Sequence, residues 1–121
     1  LSIRSSKNVA KEELRLSIRG MAESFGASVF ERGAYPAWEY RKESRLRDIM
    51  SKTYSDMYGK NPEIITIHAG LECGIFSDKI EGLDCVSMGP DNFDIHTPDE
   101  RLSISSTARV WEYLKEVLKR L

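Results

Sequence analysis

Two short, largely apolar runs constrain the fold of this chain more than any other feature of its sequence. They span residues 64–67 and 83–88, and helical periodicity is found before, between and after them. Apolar runs of this length are typical of strands that are covered on both faces. Because helices alternate with the runs, the sequence predicts an α/β protein with a sheet packed between helices.

Three longer helices are predicted from apolar residues that recur every three to four positions. The first spans about residues 9–25, the second spans 44–58, and the last ends the chain. The candidate caps are Ser6 or Asn8 for the first helix and Ser103, Ser105 or Ser106 for the last. The residues expected to be buried are Leu14, Ile18, Met21, Phe25, Leu46, Ile49, Met50, Met57, Tyr58, Val110, Trp111, Leu114, Val117, Leu118 and Leu121.

A turn-rich stretch from Gly33 to Trp38 indicates a boundary between two structural pieces. Before it, predicted strands at residues 1–6 and 27–31 flank the first helix and form a β-α-β unit. The first strand begins at Leu1 itself, without a methionine or a leader. We therefore expect the chain to be a fragment of a longer polypeptide.

Charge and cysteine content argue against several classes of function. Eighteen Lys and Arg residues balance 19 Asp and Glu residues, for a net charge of −1, so neither nucleic acid nor an anionic membrane is an expected partner. No apolar run approaches the roughly 18 residues of a membrane span. Cys73 and Cys85 do not form a CxxC pair. A reduced, cytoplasmic protein is the simplest prediction.

Both histidines lie in loops that follow the two predicted inner strands. His68 opens the first loop, which runs to Gly74, and His96 lies in the second, between Gly89 and Glu100. Ligands of open α/β sheets bind where such loops converge, at the carboxyl ends of strands. Neutral imidazole is a common zinc ligand, so His96 is a candidate for that role. A surface histidine bonded to backbone would fit the same position.

The other candidate residues each have a simpler interpretation. Glu72 could serve catalysis, or it could match the dipole of a short helix at residues 71–80. Asp99 and Glu100 could form an acid–base pair, or they could favour the start of the last helix through their charge. Arg4 could bind a carboxylate through its planar guanidinium, or it could be a solvated charge on a strand.

Several motifs together resemble a known enzyme family. The chain is similar to the C-terminal region of bacterial aminoacyl-histidine dipeptidases, which are M20 metallopeptidases, and the similarity covers nearly all of it. The motifs that carry it are Leu1-Ser-Ile-Arg-Ser-Ser6, Tyr35-Pro-Ala-Trp-Glu39, His68-Ala-Gly-Leu-Glu-Cys-Gly74, Met88-Gly-Pro90 and His96-Thr-Pro-Asp-Glu-Arg101.

This resemblance implies a fold, a cofactor and a set of site residues. Residues 1–34 would end a lid (dimerisation) domain, and residues 35–121 would form the second half of a catalytic α/β domain. His96 would bind one of two zinc ions that activate a water for hydrolysis of Xaa-His dipeptides. The stretch Gly70, Leu71 and Glu72 would border the substrate, and Arg4 would bind its carboxylate.

The same resemblance implies partners and leaves alternatives open. The general base, the bridging aspartate and the other zinc ligands would come from the N-terminal half of the same enzyme, a homodimer, so this chain alone is expected to be inactive. One alternative is an M20 amidohydrolase acting on acylated amino acids. Another is a non-catalytic α/β domain that binds a partner by strand addition.

Overall fold

The chain forms four helices and one short hairpin over the residues that the computed structural model describes, which are 1–68 and 72–121. The elements are α1 (Asn8–Ser24), α2 (Arg45–Tyr58), α3 (Glu72–Lys79), β1 (Asn92–Phe93), β2 (Arg101–Leu102) and α4 (Ile104–Leu118). None of these helices is long and apolar enough to cross a membrane. The fold is thus a mixture of helices with a small sheet, and the predicted helices are present.

Two helices begin as the sequence predicts, and α2 also ends as predicted, at Tyr58. The Ser44 side chain accepts a hydrogen bond from the Arg47 N–H and caps α2, while Gly59 ends that helix with a left-handed φ of 68°. For α4, the structure selects Ser103 among the three candidate serines, since its side chain accepts from the Ser106 N–H. These caps satisfy N–H groups that have no partner within the helix.

The start of α1 differs from the prediction. Lys7 occupies the cap position without a side-chain bond, so neither Ser6 nor Asn8 caps the helix. Asn8 is engaged elsewhere, because its side-chain oxygen accepts the Ala37 N–H at 2.8 Å. In its place the Glu39 carboxylate accepts the Asn8 N–H at 2.8 Å. An acidic side chain distant in sequence therefore accepts a free N–H at the start of α1, where its charge also suits the positive end of the helix dipole.

The chain divides into two compact units, each built from two separate stretches. The first unit contains residues 1–42 and 64–85, and the second contains residues 43–63 and 86–121. Residues 35–42 and 64–85 thus share a unit with α1. The predicted lid and catalytic segments describe domains of a larger enzyme, and that assignment stays a prediction.

In the first unit, α1 lies against the turn-rich stretch through polar contacts. The Lys11 ammonium donates to the Tyr35 carbonyl, and Ala37 is buried. Further along the same side of α1, Arg15 and Arg19 both form ion pairs with Glu31. The paired side chains are 32–38% exposed, so solvent screens these pairs and each stabilises the fold only weakly.

The apolar stripe predicted for α1 is not buried. No residue of α1 is buried, and Phe25, which follows it, is 86% exposed. Periodicity determines which side chains share a helix face, but burial requires a second surface on that face. Among the described residues no element covers this stripe.

The predicted strands at residues 1–6, 27–31, 64–67 and 83–88 belong to no sheet within the described part of the chain. Ile65, in one of them, is 68% exposed. A strand needs a neighbour to take its backbone hydrogen bonds, and a local apolar run cannot supply one. The sheet that forms is the antiparallel pair β1–β2, with Asn92 opposite Leu102 and Phe93 opposite Arg101.

The second unit has its core between α2 and α4. Tyr113 and Val117 of α4 are buried, and the Tyr113 hydroxyl donates to the Met50 carbonyl at 2.8 Å. Tyr54 of α2 packs edge-to-face against the Tyr113 ring, with centroids 5.7 Å apart, and Tyr58 packs against it at a tilt, with centroids 6.5 Å apart. Aromatic pairs at these separations add to the stabilisation from burial.

Trp111 was expected in this core, and the prediction is wrong. Trp111 is 59% exposed, and Leu118 and Leu121 are exposed as well. The face that α4 presents to α2 carries Ser106, Tyr113 and Val117 instead. These residues are spaced by seven and four, so they lie on one face of the helix. Val117 was expected to be buried, whereas Tyr113 was not.

Replacing Thr53 with valine is expected to stabilise this unit. Thr53 is fully buried, and its hydroxyl has no hydrogen-bond partner among the described residues. An unsatisfied buried polar group costs about 1–3 kcal/mol, and valine has nearly the same shape. Thr53→Val should therefore raise the free energy of unfolding by about 1 kcal/mol, measured by urea denaturation. Thr53→Ser keeps the hydroxyl and loses the methyl, so it should destabilise. A destabilised valine variant would contradict this account.

Candidate functional site

His96 lies at the tip of the β1–β2 hairpin rather than after a buried strand. Residues 94–100 form the loop between the two strands. His96 has a φ of 67°, and Asp94 has a φ of 53°. Few residues other than glycine adopt this left-handed region, although histidine and aspartate are among those that do.

A set of short-range hydrogen bonds closes the loop. The Asp94 carbonyl accepts from the Thr97 N–H at 3.2 Å and from the Thr97 hydroxyl at 2.7 Å. The Thr97 carbonyl accepts the Glu100 N–H at 3.2 Å, and the Thr97 hydroxyl accepts the Asp99 N–H at 3.2 Å. Thr97 therefore organises the backbone on both sides of itself.

Glu100 binds two other parts of the hairpin through its carboxylate. One oxygen accepts from the Asn92 side-chain amide at 3.0 Å, and the other accepts from the His96 N–H at 3.0 Å. These donors, the Asn92 amide first, hold the pKa of Glu100 below its usual value. Neither Glu100 nor Asp99 lies in the first turn of α4, so the structure does not place their charges where they would act on the dipole of that helix.

The base of the hairpin is fastened to the start of α4. The Ser103 N–H donates to the Asp91 carbonyl at 3.0 Å, and the Asp91 N–H donates to the Ser106 hydroxyl at 2.9 Å. Ser106 is buried, while Arg101 pairs with Asp94 across the loop. The site loop is thus held at its base by a helix that itself packs in the core.

His68, which opens the other candidate loop, lies in the first unit. The Ser6 N–H donates to Nδ1 of His68 at 2.9 Å, so Nδ1 carries no proton in this arrangement. Glu72 is exposed in the first turn of α3, as the dipole interpretation expects. The predicted substrate residues Gly70 and Leu71 lie outside the described residues.

Close packing fixes the start of α3. Gly74 is buried, and a Cβ added there would lie 3.3 Å from the Pro36 carbonyl oxygen and 3.3 Å from the Trp38 Cβ. A larger side chain would have to displace the neighbouring backbone. The turn-rich stretch from Gly33 to Trp38, which the sequence predicts to be a boundary, therefore also packs against the helix that begins at Glu72.

Cys73 and Cys85 interact in this unit as free thiols. Burial, followed by the hydrogen bond with Cys73, raises the pKa of Cys85 to about 11. Cys85 is therefore a protonated thiol near neutral pH and a poor metal ligand, since metals bind the thiolate.

Arg4 is exposed in the opening segment. Its guanidinium has no ion-pair partner among the described residues. The Ser6–His68 hydrogen bond places the opening segment beside the loop that follows residue 67. Arg4 and Glu72 lie in one unit and His96 lies in the other, so the structure describes them separately.

Comparison with known proteins decides the family. The family model described as Peptidase family M20/M25/M40 matches residues 9–120. The chain belongs to this family. It is 35% identical, over 119 residues, to the cytosol non-specific dipeptidase of Escherichia coli (strain K12), covering 98% of this chain and 24% of that protein.

A solved structure agrees with this M20 assignment. The crystal structure of the aminoacylhistidine dipeptidase from Vibrio alginolyticus matches with a TM-score of 0.79 and 32% identity, over 97% of this chain and 24% of that one. The resemblance to M20 dipeptidases is therefore confirmed. This M20 chain spans about a quarter of the length of each relative.

Among its described residues, this M20 chain offers His96 as one side chain that can serve as a metal ligand. The His96 imidazole is exposed, and its ring nitrogens have no hydrogen-bond partner in the described ranges. Over the same residues, no three His, Cys, Asp or Glu side chains come together in a way that could hold a metal ion. Zinc sites in proteins need about three or four ligands. His96 can thus serve as one ligand of a site that further residues complete.

The sequence did not reveal the residues whose hydrogen bonds support the hairpin that carries His96. Asn92, Ser106 and the carboxylate role of Glu100 were not foreseen. One signal was available, since Ser103 and Ser106 have the spacing of a cap and the N–H that it binds. The left-handed backbone at His96 has no such signal, because no glycine marks it.

Proposed function

We propose that this chain is the C-terminal part of a zinc-dependent dipeptidase that hydrolyses Xaa-His dipeptides. The observation that carries the proposal is the His96 imidazole, which has no hydrogen-bond partner among the described residues and lies on a hairpin held in place by hydrogen bonds. The chain that contains it belongs to the M20 family. The proteins that it matches over nearly its whole length are named as dipeptidases, one of them an aminoacylhistidine dipeptidase. Together these support a peptidase role and a metal ligand at His96.

His96 would hold zinc through one ring nitrogen. A neutral imidazole on an exposed loop can bind a metal without first losing another hydrogen bond. When bound, zinc would polarise the peptide carbonyl and would lower the pKa of a bound water, so that hydroxide is available for attack near neutral pH. The two zinc ions, their remaining ligands and the general base are proposed to depend on the N-terminal half of the same enzyme.

The other proposed site residues bind the substrate. The exposed guanidinium of Arg4 would bind the C-terminal carboxylate of the dipeptide, because its planar donors match a carboxylate in two parallel hydrogen bonds. Gly70, Leu71 and Glu72 would border the same substrate. The hydrogen bond from Ser6 to His68 supports a shared location, since it ties the Arg4 segment to the loop that contains them.

The proposed domain assignment explains the exposed apolar segments. Residues 1–34 would end a lid that also forms the homodimer, and residues 35–121 would complete the catalytic α/β domain. Predicted strands such as 64–67 would then find their sheet neighbours in the N-terminal half. A cytoplasmic location is proposed from the name of the Escherichia coli relative.

The proposal is tested by the substrate range of the full-length protein. Release of free histidine from a set of Xaa-His dipeptides is compared with hydrolysis of other dipeptides and of N-acylated amino acids, before and after metal removal by a chelator. We expect dipeptide hydrolysis that is lost on chelation and restored by zinc. Preference for N-acylated amino acids would favour an M20 amidohydrolase, and the absence of any hydrolysis would favour a binding domain.

Arg4→Ala should weaken substrate binding more than it slows turnover. A hydrogen-bonded charge pair contributes about 1.5–3 kcal/mol, so KM for a dipeptide should rise roughly 10- to 100-fold with little change in kcat. Arg32→Ala is a matched control, since Arg32 is also exposed and has no ion pair over the described residues. Steady-state kinetics of both variants would be compared. Equal KM values in the two variants would remove Arg4 from the substrate site.

A further inference from the structure

The backbone of His96 is held in a conformation that needs support. His96 and Asp94 both have positive φ, at 67° and 53°, within a few residues of each other. Side chains other than glycine adopt this region rarely, and such residues persist where the surrounding structure determines them. The Asp94 end is secured by Thr97, whose N–H and hydroxyl both donate to the Asp94 carbonyl.

At His96 the support comes from Glu100. Its carboxylate accepts the His96 N–H through Oε2 and the Asn92 side-chain amide through Oε1, each at 3.0 Å. Asn92 belongs to β1, and Glu100 directly precedes β2. A single carboxylate therefore joins the tip of the loop to the first strand of the hairpin. Hydrogen bonds to a charged acceptor are stronger than neutral ones.

The bond involves the backbone of His96 and leaves its imidazole available. In the described part of the chain, neither ring nitrogen of His96 has a partner. A carboxylate bonded to the ring would orient it through one nitrogen, as partners of metal-bound histidines usually do. Here the bond acts on the backbone instead, so it sets the direction in which the Cα–Cβ bond of His96 leaves the loop before a metal arrives, while the ring keeps its own side-chain torsions.

We propose that Glu100 is a positioning residue, supported by Asn92, that fixes the backbone of His96 for metal binding. The inference rests on the proposed role of His96 as a zinc ligand. Glu100 acts through His96 and has no contact with substrate or metal in this account. The proposal adds the Glu100 carboxylate and the Asn92 amide to the site of His96. Neither residue could be identified in this role from the sequence motifs.

Asp99 provides a matched control for the charge of Glu100. A carboxylate near a cation could raise metal affinity by its charge alone, without positioning anything. Asp99 lies next to Glu100 on the same exposed loop, and its carboxylate has no hydrogen bond among the described residues. Asp99→Ala therefore removes the same charge and leaves the His96 N–H bonded.

The test uses the full-length protein with Glu100→Ala, Glu100→Gln and Asp99→Ala. Zinc affinity is measured by competition with a chromogenic chelator, and amide hydrogen exchange at His96 is measured in the metal-free protein. Glu100→Ala should weaken zinc binding about 10- to 100-fold, the range for residues that orient a metal ligand. The His96 amide should exchange at least roughly tenfold faster, because its acceptor is gone.

Glu100→Gln and Asp99→Ala separate the effect of the hydrogen bond from the effect of the charge. Glu100→Gln keeps one oxygen acceptor and nearly the same shape, so its zinc affinity and exchange rate should lie between wild type and Glu100→Ala. This variant also keeps the test decisive if the alanine variant does not fold. Asp99→Ala should stay within about twofold of wild type in zinc affinity, because two exposed charges in water interact weakly.

Three results would overturn the proposal. Equal zinc losses in Glu100→Ala and Asp99→Ala would show that charge alone acts. Unchanged exchange at His96 would show that Glu100 does not hold its backbone, and faster exchange with unchanged zinc affinity would show that the bond has no bearing on the metal. Failure of the proposed function is separate, since His96→Ala would then keep its zinc whatever Glu100 does.

Discussion

His96→Ala should reduce hydrolysis of Xaa-His dipeptides by the full-length enzyme more than a hundredfold. Removing a residue that only orients a ligand costs roughly 10- to 100-fold, and removing the ligand itself should cost more. The fold should remain intact, because His96 is an exposed loop residue whose only hydrogen bond among the described residues is made by its backbone. Activity, zinc content and circular dichroism would be measured on the same preparation.

His96→Asn separates the loss of a ligand from backbone strain. Asparagine adopts positive φ readily, so it fits the φ of 67° at this position while lacking an imidazole. Both variants should lose zinc and activity to a similar extent. Recovery of activity in His96→Asn would mean that the alanine variant failed through its backbone. Full zinc content and wild-type turnover in either variant would remove His96 from the metal site.

The 121-residue chain by itself should not hydrolyse dipeptides at a measurable rate. Its described residues bring no three potential ligands together, and a single imidazole holds zinc weakly. The general base is likewise proposed to lie in the N-terminal half. The expected result is no release of histidine above background and zinc binding much weaker than that of the full-length enzyme.

This experiment depends on the purity of the chain. Intact mass must be verified, and the absence of a second polypeptide must be shown, since a trace of full-length enzyme would produce the activity in question. Mixing with the separately expressed N-terminal half is a useful second arm, and restored activity would support the proposed division. Zinc-dependent hydrolysis by the verified chain alone would contradict the assignment of the missing ligands.

The helices could be predicted from the sequence because their signals are local. Ser44 and Gly59 bound α2, and Ser103 caps α4, each through bonds to residues within one turn. Such interactions need no knowledge of the rest of the fold. The family could be predicted for a related reason, since the residues around His68 and His96 form recognisable motifs even without their structural context.

Burial and strand pairing could not be predicted because they depend on partners. The α1 stripe that contains Leu14 and Met21 has helical spacing, yet it is uncovered in the described structure. The apolar run at 64–67 belongs to no sheet there, for the same reason. On α4 the error was of a different kind, since Tyr113 replaces Trp111 in the core. Trp111 and Tyr113 are two positions apart, which is about 200° around the helix at 3.6 residues per turn, so their side chains lie on nearly opposite faces.

The candidate site was predicted in part. His96 could be proposed as a ligand from its motif, but its support by Glu100 and Asn92 could not, because it depends on a hairpin whose strands have only two residues each. Strands of that length leave almost no periodic pattern in a sequence. The position of Gly70 and Leu71 lies outside the described residues, so their proposed role is unchanged.

The most direct test of the central claim is the position of zinc in crystals of the full-length enzyme. Anomalous difference maps recorded on either side of the zinc absorption edge identify the metal without reference to activity. We expect a zinc peak about 2.0–2.1 Å from a ring nitrogen of His96, the usual length of a zinc–imidazole bond. A fully loaded enzyme with its zinc elsewhere and the His96 ring free in solvent would contradict the account.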